Sequence, residues 1–152
     1  MSVAQTGEPA TTKPTMNNMA EPQMNLPRTL VTIRRPGAKE INLEVQVAVS
    51  QKEQAKGLMF RRHLPQSEGM LFVYHKEQEL GFYMANCFIS LDMIFMDKDQ
   101  KVVGTIENAR PMDETVRSIG RPSQYVLEVN GGFAARHHIT NGTVITWREW
   151  NR

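Results

Sequence analysis

Several charged and amide side chains stand inside the most apolar segments of this 152-residue chain. Arg61 and Arg62 follow Gly57-Leu58-Met59-Phe60, and Glu68 opens Gly69-Met70-Leu71-Phe72-Val73-Tyr74. Asn86 and Cys87 close Gly81-Phe82-Tyr83-Met84-Ala85, Asp92 lies within Leu91 to Met96, and Glu128 stands between Leu127 and Val129. A lone ion in an apolar interior is costly, so each must be paired, hydrogen-bonded or exposed at a strand end.

Asn86 and Asp92 are separated by a connection of five residues, which would bring them to one end of a sheet. They would then form a polar pair at the mouth of a pocket. Otherwise Asp92 is a buried cap for the backbone N–H groups of the Phe88 to Leu91 turn, the commoner arrangement for Asp. Arginine offers a planar fork for carboxylate or phosphate. Arg61 therefore either takes an anionic ligand or pairs internally with Glu68, Asp92 or Glu128.

Met59, Met70, Met84, Met93 and Met96 crowd the same blocks. Thioethers select Cu(I), yet the spacing is not that of a dedicated metal loop, and methionine is a common core filler. The expectation is core packing, no metal and no cofactor. Cys87, with His63, His75, His137 or His138, would need spatial adjacency to make a nucleophile, and a lone Cys in an apolar strand is more often inert. Glu68 and Asp92 could act as general base in a hydrolase, though nothing in the sequence sets their separation. No P-loop, G-x-S-x-G or H-E-x-x-H motif is present.

The elements that must position these residues are mostly strands. Thr29 to Arg35 is β-branched and aliphatic, and Pro36-Gly37 is a turn signal. From Ile41 to Val49 apolar residues alternate, as in a half-buried antiparallel strand hairpinned to the first. Ser50 and Glu53 fit a capping box, and Gly57 suits the end of the short helix that follows. Met70 to Tyr74 reads as a buried strand, His75 to Leu80 as a turn or brief helix, and Gly81 to Cys87 as a further strand.

Asp92 to Asp97, Lys101 to Glu107, Gln124 to Val129 and Thr143 to Trp150 complete the strands. A turn spans 97–100, a loop 108–123, and a short helix runs after Asn130-Gly131-Gly132 through Arg136. About eight strands with two short helices predict an all-β barrel or sandwich, not a parallel α/β sheet.

Residues 1–27 are rich in Thr, Pro, Asn, Gln and Ala, which predicts a flexible N-terminal tail before a single domain at 28–152. The net charge of +2 and the short basic clusters Arg34-Arg35 and Arg61-Arg62-His63 argue against nucleic acid. One cysteine excludes an intrachain disulfide, and no apolar run is long enough to span a membrane.

The blocks at 57–61, 68–72, 82–86, 91–95 and 125–132 resemble, in order and spacing, the domain of unknown function 192 family. The resemblance covers roughly Val45 to Thr146. It implies a small, mainly β domain, found in bacteria and archaea and often exported, with no established activity, cofactor or substrate. Two positions depart from the family pattern: Tyr83 stands where Trp or similar is usual, and Cys87 where Thr or Ser is usual. A hydroxyl role at position 87 is thereby put in doubt.

On this resemblance the tail is expected to be a tether left after removal of an export signal, with Met1 added in its place. The alternative is a natural disordered tail on a cytosolic protein. The expected function is a non-catalytic module of the bacterial envelope, in the periplasm or otherwise exported, that binds a small anionic or polar ligand. Its site would be built from Arg61, Glu68, Asn86, Asp92 and Glu128 and lined by Met59, Met70, Phe82 and Met84. The alternatives are the hydrolase and a structural domain whose polar residues only lock the fold.

Overall fold

The strands form where β-branched and aliphatic residues alternate, and they assemble into one curled sheet in this computed structural model, which describes residues 2–5 and 21–151. In chain order these are β1 (Ser2–Gln5), β2 (Arg28–Arg34), β3 (Ile41–Ala48), helix α1 (Gln51–Lys56), β4 (Glu68–Tyr83), β5 (Leu91–Met96), β6 (Val102–Ala109), β7 (Pro122–Asn130), helix α2 (Phe133–Arg136) and β8 (Val144–Trp147). Neighbours run β6-β5-β7-β4-β3-β2-β8, with β1 against the far half of β4. The mainly β expectation holds.

The sheet curls until its edge strands meet. Lys101 bridges Val144, Val102 N–H donates to the Thr143 carbonyl at 2.9 Å, and Ile145 N–H donates to the Gln100 carbonyl at 3.0 Å. Two apolar layers result. The concave layer gathers Val31, Ile33, Leu43, Val45, Leu71, Ile94, Met96, Leu127, Val129 and Ile145, and α2 adds Phe133 and Ala134 at one end. The convex face of β4, β5 and β7 carries Met70, Phe72, Met93, Phe95 and Val126, roofed by Leu58, Met59, Leu64, Met84 and Cys87 from the connecting loops.

The β2–β3 hairpin and the capping box form as their residues predict. Glu53 N–H donates to Ser50 Oγ at 3.1 Å, Ser50 N–H donates back to Glu53 Oε1 at 2.9 Å, and Gly57 ends α1 at φ +49°. One expectation fails. Residues 75–80 are neither turn nor helix: β4 continues unbroken to Tyr83, and its register on β7 shifts between Val73 and Gln78. The polar His75-Lys76-Glu77 stretch is exposed on that irregular strand, which is why it looked like a break. In addition, β3 and β4 pair in parallel, joined across α1.

Of the expected tail 1–27, residues 1 and 6–20 lie outside the described residues. Residues 21–27 run as a strap toward β2, with Leu26 packed on the convex layer and the Pro27 carbonyl accepting from Val47 N–H at 2.8 Å.

Candidate functional site

Register decides which polar residues share a face. Asp92 pairs with Val129 and Met93 with Glu128, while Glu128 pairs with Met70 and Met70 with Gln46. Successive residues of a strand point to opposite faces. Asp92 therefore belongs to the concave layer, and Met93, Glu128, Met70 and Gln46 form a row across the convex one.

Asp92 is fully buried, and its carboxylate is used up by backbone. Oδ1 accepts from Asn108 N–H at 2.8 Å and Gly132 N–H at 3.1 Å, and Oδ2 accepts from Ala134 N–H at 2.8 Å. It is a cap, but of α2 and of the left-handed residue Asn108 (φ +51°) rather than of the Phe88 to Leu91 turn. Asn86 does not join it. Asn86 sits at φ +59°, its carbonyl accepts from Phe60 N–H at 2.8 Å, and its Nδ2 faces Met59 Sδ at 3.8 Å. With both oxygens committed and no exposed surface, Asp92 has no route to a substrate proton.

Glu128 lies fully buried in the convex layer, with neither carboxylate oxygen hydrogen-bonded. Burial pushes its carboxyl well above the usual glutamate range. Tyr74, whose hydroxyl is also buried without a partner, is pushed up by burial first and by Glu128 second. Met70, Phe82 and Met84 are fully or almost fully buried in the same convex layer as packing, and Phe82 stacks edge-on with Phe72 and Phe95 at 5.6 and 5.3 Å.

Arg61 is the unusual group. The loop after Gly57 carries it beneath the strap, where it is 6% exposed. Its Nη2 donates to the Gln46 side-chain oxygen and, at 3.0 Å, to the Gln23 carbonyl, while Nε has no acceptor. None of the three acids considered for it is within 4 Å. Glu68 lies nearest in electrostatic effect, but its ion pair is with Arg28 at 3.7 Å, and Arg28 also pairs with Glu44 at 3.3 Å. Desolvation lowers the Arg61 pKa most, and Arg28 lowers it further against the opposing Glu68. Gln46 Nε2 is a second buried donor without an acceptor.

The structure thus brings Arg61, Glu68, Arg28, Gln46 and Gln23 together, and it separates them from Asp92. Sequence reasoning missed Gln46, Arg28 and Gln23. The signal for Gln46 was present: it lies on the strand face opposite Val45 and Val47, and only a covered second face would bury it. Among the described residues no three His, Cys, Asp or Glu side chains group as metal ligands, and no helix is long and apolar enough to cross a membrane. Cys87 is fully buried.

This curled sheet with a polar cluster under its roof is a fold shared with solved bacterial proteins. The model of the DUF192 family, described as Uncharacterized ACR, matches residues 31–147, and the chain belongs to that family. A protein of unknown function from Novosphingobium aromaticivorans DSM 12444 is 36% identical with a TM-score of 0.78, covering 90% of this chain and 99% of its own. A protein of Sinorhizobium meliloti 1021, provisionally described as a transcription regulator, is 28% identical with a TM-score of 0.79, covering 82% and 97%. No curated protein matches the chain.

Proposed function

We propose that this chain is a non-catalytic binding module whose site, centred on Arg61, takes a small carboxylate ligand. The observation that carries the reading is a guanidinium held in the interior whose hydrogen-bond partners among the described residues are neutral oxygens and whose buried Nε–H has no acceptor. A buried cation without a directly bonded anion is destabilising, and an arriving carboxylate relieves it through charge-assisted bonds. Gln46 Nε2, also without an acceptor, supplies a neighbouring donor. The polar composition of residues 1–20 and the export common in the family support placing the module outside the cytoplasm. The small net charge of +2 gives the regulator description of the S. meliloti relative no nucleic-acid footprint to rest on.

The test is thermal melting of the full chain with succinate, acetate and phosphate. Succinate is expected to raise the midpoint by a few degrees, and Arg61→Gln, which keeps a neutral donor, is expected to abolish the rise. A midpoint unmoved by every anion, in wild type and in Gln23→Ala alike, would overturn the reading.

A further inference from the structure

One residue of the strap occupies the Arg61 site from two sides. The Gln23 backbone carbonyl accepts from Arg61 Nη2 at 3.0 Å. Its side-chain Nε2 donates to the carbonyls of Glu53 and Gly57 at 2.8 and 2.9 Å, at the C-terminal end of α1. The Glu53 carbonyl also accepts from Gly57 N–H at 2.9 Å, so the Gln23 amide is its second donor. The cleft therefore reads an oxygen at one end and an amide N–H₂ at the other, separated by the length of a glutamine side chain. Asn25 and Pro27 of the strap, with Val47 and Glu53, line an open pocket of about 320 Å³.

We infer that Gln23 is a tethered stand-in for the ligand, and that the site takes free glutamine or a peptide ending in glutamine. The inference rests on the anion-site reading above and sharpens it. An α-carboxylate has one more oxygen than the Gln23 carbonyl. It would hold Arg61 Nη2 with a charge-assisted bond and offer its second oxygen to the unpartnered Nε. The ligand's side-chain amide would keep the Glu53 and Gly57 carbonyls satisfied. A glutamate side chain would instead face two carbonyl oxygens with a carboxylate, a repulsive contact that selects against it. Succinate would satisfy Arg61 and leave the carbonyl pair unmatched.

The strap then regulates access. A tethered segment competes at an effective concentration in the millimolar range, so wild-type protein binds the free ligand weakly. Removing the Gln23 side chain lowers the fraction of closed strap and strengthens apparent affinity by the same factor.

The experiment is calorimetric titration of full-length wild type, Gln23→Ala, Gln23→Glu and Arg61→Gln with L-glutamine, L-glutamate and succinate, each protein first checked for an intact melting transition. Gln23→Ala and Gln23→Glu are expected to bind glutamine on the order of tenfold tighter than wild type. Both are expected to prefer it to glutamate and succinate by roughly tenfold or more, and Arg61→Gln is expected to bind none of the three. If neither Gln23 variant gains affinity, or both take succinate as well as glutamine, the tethered-ligand inference fails while the anion site stands. If no carboxylate binds wild type or either variant, both fall together.

Discussion

Asp92 and Glu128 sit one register step apart on paired strands and project from opposite faces of the sheet. Asp92 is opposite Val129, and Met93 is opposite Glu128. The two buried acids differ in every respect that matters for chemistry. Asp92 accepts three backbone hydrogen bonds, whereas Glu128 accepts none.

Asp92 is therefore a fold-locking residue. Asp92→Asn turns one acceptor into a donor that faces an N–H group, and Asp92→Ala leaves three N–H groups without an acceptor. Either change is expected to cost about 3 kcal/mol, read as a lower urea midpoint. Glutamine binding per folded molecule should stay unchanged. A variant with wild-type stability would remove Asp92 from this role.

Glu128 gives a pH signature of definite sign. Its folded-state pKa is raised by burial above the ordinary value of 4.5, so the folded protein holds a proton that the unfolded chain releases. The contribution of this group is fully present below the ordinary value and is lost as pH rises through the raised one. Glu128→Gln keeps the shape without the ionisation. Its melting temperature is expected to match wild type near pH 4 and to exceed it increasingly toward pH 9. Parallel curves over that range would assign the titration elsewhere.

Gly69 is required by close approach rather than by its torsion angles. A Cβ there would press into the Glu128 backbone carbonyl oxygen and lie 3.2 Å from Val129 Cγ1, both on the neighbouring strand. Gly69→Ala forces β4 and β7 apart and is expected to destabilise by about 2 kcal/mol or more, measured by chemical denaturation. A neutral outcome would mean that these strands separate easily.

Ser50 tests whether α1 holds the carbonyl end of the proposed site in place. Ser50→Ala removes one half of the capping box and should cost about 1 kcal/mol. If glutamine affinity in the Gln23→Ala background is unaffected while stability falls, the helix end is held by its other contacts.

The local elements were readable because each carries its own punctuation. Pro36-Gly37, Ser50 with Glu53, Asp97 to Gln100 and Asn141-Gly142 fall where the chain turns or a helix begins. The long β4 was not readable, because His75, Lys76 and Glu77 are polar in the way a loop is polar, and nothing local says that the strand continues. Nor was the face of Asp92. Alternation places it opposite its neighbours, but only the pairing with Val129 says that its side is the concave one. Arg61 was recognised as out of place among apolar residues. Its partners were not, since Gln46 comes from the parallel neighbour of β4 and Gln23 from the segment read as a tail.

The seam between β6 and β8 has a consequence for how copies of this protein meet. Most open sheets present two ragged borders of vacant amides and carbonyls on which another molecule can template itself. Here the borders stitch together at Val102 and Ile145, and Arg121 covers the Val103 carbonyl at 3.3 Å. Fibre-like growth by strand addition is thereby discouraged at the two strands most exposed to it.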